Sequence, residues 1–182
     1  MVDTGWCLFL DVAAESISGS RYDWTNPTYA LIDDSSSASV YIPESLVGPS
    51  YTNYSEFIEF KNPDWPFAIL PAPSYNVDFR IKRTTSGGGH YLTDHVLSLI
   101  VGGTRTGNNL ADGTKWAGDI TQDYTGDWGV SLTSAHFNSY FGVALQARNQ
   151  ANSGTGNINA VWMRAQYEPY SGPNAREIIQ YS

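Results

Sequence analysis

From Tyr75 to Lys82 the chain alternates without a break. Tyr75, Val77, Phe79 and Ile81 fall on one side, and Asn76, Asp78, Arg80 and Lys82 on the other. Successive side chains of a strand point to opposite faces, so this pattern predicts a strand with one face on a core and the other in water. After a turn-forming prelude at Asp127 to Thr133, alternation returns near the end in two runs, Phe141 to Leu145 and Ala160 to Tyr167, and a Gly/Asn/Ser-rich connector spans Asn149 to Asn157. These segments predict a closing antiparallel pair and its prelude.

Between these segments, shorter apolar runs are cut by turn residues. Tyr29 to Ile32 and Ala38 to Ile42 are predicted strands on either side of an Asp/Ser turn, and Pro43 ends the second by removing a backbone donor. Tyr54 to Phe60 is a further strand, followed by a crossing that carries Pro63, Pro66, Pro71 and Pro73. Thr93 to Val101 holds a nearly continuous apolar run and is expected to be central and covered on both faces; Gly102 to Gly113 is expected to be a polar loop. Asp119 to Tyr124 is a weaker strand, and Thr133 to Phe137 offers a capping hydroxyl and one helical turn.

Short strands with turns between them predict an all-β fold, a two-sheet antiparallel β-sandwich of jelly-roll type with extended terminal arms. Residues 1–24 are expected as an N-terminal arm or edge segment, 25–167 as the sandwich and 168–182 as a C-terminal tail. A length of 182 residues suits one hydrophobic core.

Composition narrows the function classes. Eighteen acidic against ten basic residues give a net charge of −8, which disfavours nucleic acid, a partner that needs clustered Lys and Arg. The local basic cluster, Arg80-Ile81-Lys82-Arg83, is expected to be a solvated strand face. Cys7 is the single cysteine, so no intrachain disulfide forms, and its apolar neighbours predict a buried, inert thiol. No apolar run is long enough to cross a bilayer as a helix, and no leader peptide is visible, so no membrane partner is expected.

Candidate chemistry meets geometric objections. His90, His95 and His136 lack the pairing and convergence that a zinc site requires. Glu56 and Glu59 suggest a glycosidase pair, yet residues three apart on a strand face opposite ways and cannot flank one sugar bond together. Asp112, Asp119, Asp123 and Asp127 offer oxygen ligands for calcium but match no calcium loop. Ser131 lacks the second glycine of a nucleophile elbow, and the Gly102 to Gly107 turn lacks the lysine of a phosphate loop. No catalytic, metal or cofactor residue is assigned.

The aromatic residues leave the more open question. Trp65, Trp116, Trp128 and several tyrosines, Tyr124 among them, fall in or near predicted loops, where exposed rings would stack on the apolar faces of sugars. The alternative is that they seal the ends of the core. Ile178 and Ile179, in the tail, suit docking on a neighbour or on the parent domain. Trp65, Trp116, Tyr124, Ile178 and Ile179 are therefore the candidate interaction residues.

One order of features runs from Trp24-Thr25-Asn26-Pro27 through Asp78 to Arg83, Thr93 to Val101, Gly107-Asn108-Asn109-Leu110-Ala111, Trp116 and Asp127-Trp128-Gly129 to Phe141 to Leu145 and Ala160-Val161-Trp162. Over roughly residues 24 to 167 this resembles the jelly-roll-like β-sandwich proteins of tailed-bacteriophage virions, which serve as head decoration (cement) proteins, head fibres and tail-associated domains. The resemblance implies a non-enzymatic virion protein on the capsid surface, made in the host cytoplasm. It would bridge subunits of the major capsid protein as a homotrimer. The alternative it leaves is a host-glycan or receptor-binding module of a head fibre or tail.

Overall fold

The computed structural model describes residues 1–15, 21–43, 53–86, 92–149 and 153–170. Its strands in chain order are β1 (Val2–Asp3), β2 (Cys7–Ala14), β3 (Arg21–Tyr22), β4 (Ala38–Ile42), β5 (Asn53–Ser55), β6 (Ile58–Pro63) and β7 (Tyr75–Ser86). There follow β8 (Leu92–Val101), β9 (Thr104–Thr106), β10 (Ile120–Tyr124), β11 (Gly142–Asn149) and β12 (Gly154–Tyr167).

They make a two-sheet antiparallel sandwich. In the first sheet β7 lies between β10 and β12, and the far edge of β12 takes up β4, the start of β2, and β1. In the second sheet β11 has β8 and then β9 on one side, and β6 and β5 on the other. The later part of β2 pairs with β6, so this N-terminal strand is an edge strand of both sheets and ties them together. Parallel pairing occurs between the short β3 and β5.

The interior follows the alternation. Val77, Phe79 and Ile81 of β7 meet Val143 and Leu145 of β11, and all five are fully buried. Removing such side chains from water stabilises the fold by roughly 1.5–3 kcal/mol each. Phe9 of β2 packs on Phe60 and Phe79, with ring centroids 6.0 and 6.3 Å away, which anchors the edge strand to both layers.

Several local expectations are corrected. Pro27–Leu31 is a 3-10 turn, not a strand, because Asn26 sits in the left-handed region at φ 53° and Pro27 fits the first helical position. The Tyr54 to Phe60 run divides into β5 and β6 around Glu56 and Phe57. The Gly102 to Gly113 segment contains β9.

Asp127 to Thr133 forms no strand. Gly129 has φ +67°, Asp127 Oδ1 accepts from the Gly129 amide at 2.8 Å, and the Asn108 amide donates to Trp128 O at 2.6 Å. Local turn bonds therefore satisfy this backbone without a ladder. Gly107, at φ +82°, permits the approach, since a Cβ there would stand 2.2 Å from Trp128 O. Ser134–His136 makes the short turn expected near Thr133, with a capping box between Thr133 and His136.

Arg83 corrects the reading of the basic cluster. It shares the inward face of β7 with Ile81, and its side chain is 0% exposed. Its Nη1 donates to both oxygens of Asp94, at 2.6 Å each, and to Tyr124 Oη at 2.7 Å. Tyr124 in turn donates to Asp94, Gln122 accepts from Arg83, and Trp116 Nε1 donates to Asp94 at 2.8 Å. This cluster joins β7 and β10 of one sheet to β8 of the other.

Candidate functional site

The two described ends of the chain meet at one pole of the sandwich. Val2 pairs with Tyr167 and Asp3 with Gln166, so β1 lies against the end of β12 where β7 begins. The proline-rich crossing from Asp64 to Ser74 folds over this end. The Asp64 amide donates to Leu8 O at 2.8 Å, Tyr75 Oη donates to Leu70 O at 2.7 Å, and the Tyr170 amide reaches Pro71 O at 3.3 Å. Three prolines in this crossing, Pro66, Pro71 and Pro73, remove backbone donors, so its chain cannot join a ladder and runs over the surface.

Aromatic rings fill the space beneath. Phe137 stands 5.8 Å from Trp65, 4.9 Å from Tyr75 and 4.8 Å from Phe141, and Tyr75 lies 5.4 Å from Tyr167. Trp65 is half-buried, and its Nε1 is shielded from water with no acceptor among the described residues. Met1, Phe67, Leu70 and Tyr170, all exposed large apolar side chains, belong to this pole.

Two adjoining grooves cross it. One, of about 340 Å³, lies among Met1, Pro73, Ser74, Tyr75, Tyr167 and Glu168. The other, of about 260 Å³, separates Tyr75, Asn76 and Val77 of β7 from the segment containing Asp127, Trp128 and Leu132. Trp128 closes the floor of the second by donating its Nε1 to Val77 O at 2.7 Å.

The sequence candidates part company here. Trp65 stands at the pole. Trp116 does not stand on an exposed loop: it is 0% exposed, packs against Gly156 and holds Asp94. Tyr124 is likewise interior, because the β10 register turns it inward beside Phe79. Burial and then the Asp94 charge push its phenol far above the ordinary value, so it stays a protonated donor. Ile178 and Ile179 lie outside the described residues, as does His90.

The candidate chemistry is engaged in structural bonds. Glu59 pairs with Lys61 at 3.5 Å and approaches Arg105 at 3.9 Å, while Glu56 is buried where β5 gives way to β6. Asp123 binds Arg80 through two bonds of 2.6 and 2.7 Å, which hold its carboxyl below the usual range. Asp112 accepts from the Thr114 amide at 2.8 Å and from Gln122 at 2.6 Å. His95 stacks on Tyr54 at 4.5 Å, and His136 Nδ1 accepts from the Thr133 amide at 3.1 Å. Burial pushes the Cys7 thiol up, which leaves it a poor nucleophile. Among the described residues no group of three or more His, Cys, Asp or Glu side chains could hold a metal ion.

Phe67, Leu70 and the Tyr75–Tyr167 pair were not singled out by the sequence reading. A signal existed: Trp65, Phe67, Ile69 and Leu70 are apolar residues interleaved with prolines, which denies them a place on a core strand.

No family model matches the chain, and no curated protein matches it. Among solved structures it is similar to a CBM4 structure, at 9% identity and a TM-score of 0.42, over 89% of this chain and 95% of that one. It is also similar to a cyclase from Fischerella sp. TAU, at 14% identity and a TM-score of 0.42, over 87% and 75% of the two chains. A third likeness is to the wild-type ENZbleach xylanase, at 10% identity and a TM-score of 0.23, over 89% and 86%. Identities and scores this low assign neither ligand nor reaction to this chain, and its architecture stands on its own strand pairings.

Proposed function

We propose that this chain is a non-enzymatic structural protein of a tailed-phage particle, a decoration domain that bridges subunits of the capsid shell, and that it docks through the pole where β1 meets the end of β12. The observation that carries this reading is the location of exposed apolar residues. Of the nine exposed large apolar side chains among the described residues, Met1, Phe67, Leu70 and Tyr170 stand on one loop-built end and the other five are Leu10, Tyr29, Ile32, Tyr41 and Tyr140, while Glu59, Asp123 and His136 are committed to internal bonds. A rigid sandwich with an apolar end suits mechanical bridging, in which removing apolar area from water supplies roughly 25 cal/mol per Å². The virion assignment itself comes from the resemblance over residues 24 to 167, and a homotrimer around a local symmetry axis is part of the proposal.

The test is attachment of purified protein to undecorated heads of the encoding phage. Wild-type protein is expected to saturate them. The double variant Phe67→Ser, Leu70→Ser should keep its melting temperature within a few degrees, because both side chains are exposed, and lose at least tenfold in occupancy. A wild-type protein that ignores heads, or a variant that decorates them equally well, would remove the proposal.

One observation favours a second reading, glycan recognition at the same pole. The half-buried Trp65 indole, whose Nε1 has no acceptor among the described residues, lies beside Phe137, which also meets the Tyr75 ring. Glycan-array binding lost on Trp65→Ala would support it, and a blank array for the wild-type chain would end it.

A further inference from the structure

β12 is a central strand: β7 runs along one side of it, and β4, β2 and β1 share the other. Its inward residues are buried, and the partly exposed ones that face outward are Thr155, Asn157, Asn159, Trp162, Arg164 and Gln166. Water-facing positions of an antiparallel sheet are ordinarily polar. Trp162 is the exception in this row.

Trp162 belongs to a group. Leu8 stands opposite it on β2, and both side chains are partly exposed. Trp6, two residues before Leu8, is held by Arg80, whose guanidinium carbon lies 4.1 Å from the ring centroid, and by Arg164 at 4.7 Å. Ile32 is exposed beside Asp33, which binds Lys82 of the same face at 3.0 Å. An indole already held in place loses little freedom on association, and Trp and Arg are the residues that commonly dominate contact energies.

Charge indicates the partner. The chain carries a net −8, which sets copies against one another in solution. On this face each cation is matched within its own copy: Arg80 by Asp123 at 2.6 Å, Lys82 by Asp33, and Arg164 by Asp78 at 2.8 Å. Two such faces can approach without that repulsion.

The strand register makes the face self-complementary. Across the seam between β7 and β12 the outward neighbours are Asn76 with Gln166, Arg80 with Trp162, and Thr84 with Asn157. A two-fold axis along the seam lays β7 of each copy over β12 of the other, in the aligned manner of stacked sheets. The same combinations then recur between copies: amide with amide, guanidinium with indole, hydroxyl with amide.

We propose that the outer face of this sheet, centred on Trp162, is a contact between two copies of the chain related by a two-fold axis along the β7–β12 seam. It does not rest on the assembly reading, whose docking residues Phe67, Leu70 and Tyr170 stand on the loop-built end. Alone the contact gives a dimer, and combined with the three-fold arrangement of that reading it gives a hexamer.

The test is sedimentation of the full chain from micromolar to millimolar concentration, with amide NMR over the same dilution. Expected are dimers or hexamers at the upper end, and dilution shifts confined to residues 6–8, 76–84 and 155–166. Trp162→Glu should raise the dissociation constant at least tenfold and Trp162→Phe should change it less, both with melting temperatures within a few degrees of wild type because the side chain faces outward. If Trp162→Glu fails to fold, the wild-type dilution map decides alone. Phe67→Ser, Leu70→Ser should associate like the wild type. A chain that stays monomeric or stops at trimers would overturn the contact. So would dilution shifts gathered at Phe67, Leu70 and Tyr170, or a folded Trp162→Glu that associates as well as the wild type. Self-association of a chain that heads ignore would remove the assembly reading and leave this contact standing.

Discussion

The two ends of β7 are built on opposite principles. At Tyr75 the strand emerges into loops and half-buried aromatic rings, and its edge beyond β10 is closed by the Trp128 side chain instead of a strand. Eight residues on, about 26 Å away at strand rise, Arg83 is sealed between the sheets with Asp94, Tyr124, Gln122 and Trp116. The first end presents apolar surface held by short local bonds. The second spends most of its polar groups on one another. A sandwich whose layers are bolted at one end can leave the other end open for contact without losing its alignment. The bolt need not exceed a hydrophobic equivalent in strength, since desolvation offsets much of the Coulomb gain; its effect is that breaking it halfway is costly.

The largest effect should therefore come from the closed end. Arg83→Met strands the Asp94 carboxylate, which is 0% exposed, and is expected to destabilise the protein by about 3–5 kcal/mol in denaturant unfolding. Adding Asp94→Leu to that variant should restore much of the loss. A single variant as stable as the wild type would break the contrast between the ends.

A smaller effect is expected at the open end. Trp128→Phe keeps a buried aromatic ring but removes the donor to Val77 O together with the five-membered ring of the indole. The loss should be about 1–3 kcal/mol, the penalty for an unpaired buried acceptor, and hydrogen exchange at Tyr75 and Val77 should quicken more than at Ile81. Uniform exchange along β7 would show that its two ends open together.

The smallest effect concerns the Arg80–Asp123 pair on the outer face of β7 and β10, midway between the ends. Its hydrogen bonds lower the Asp123 pKa in the fold, so the unfolded chain takes up that proton first as pH falls. The pair's contribution is complete above the unfolded carboxyl value of about 4 and disappears as pH drops through the lower folded value. Because Asp123 is partly exposed, the contribution is under about 1 kcal/mol. Asp123→Asn should flatten the acid limb of a stability–pH curve below about pH 4; an unchanged limb would show that the pair does not couple to folding.

Much of this was legible in the chain. The alternation from Tyr75 to Ile81 fixed the strand, its buried face and, with Val143 and Leu145, the interior of a two-layer fold. The same alternation carried on to Arg83 puts it on the buried face, but a guanidinium there is tolerable only beside a carboxylate, and Asp94 is brought to it by a different sheet. Trp116 and Tyr124 read as loop-borne rings because their sequence neighbours are polar; what buries them is the approach of β8 and β12. Asp127 to Thr133 reads as a turn-forming prelude and is one, since the Asp127 cap and the contact at Gly107 satisfy its backbone locally.

By itself the sequence determined which residues want water and which do not, and through the two-residue period it determined the fold class. Only the tertiary structure decided which rings remain at the surface, which charges meet in the interior and where β10 stops short along β7. The physical reason is that burial and pairing belong to segments far apart in the chain, such as Arg83 with Asp94 or Trp128 with Val77, whose meeting depends on the whole packed arrangement and not on local pattern.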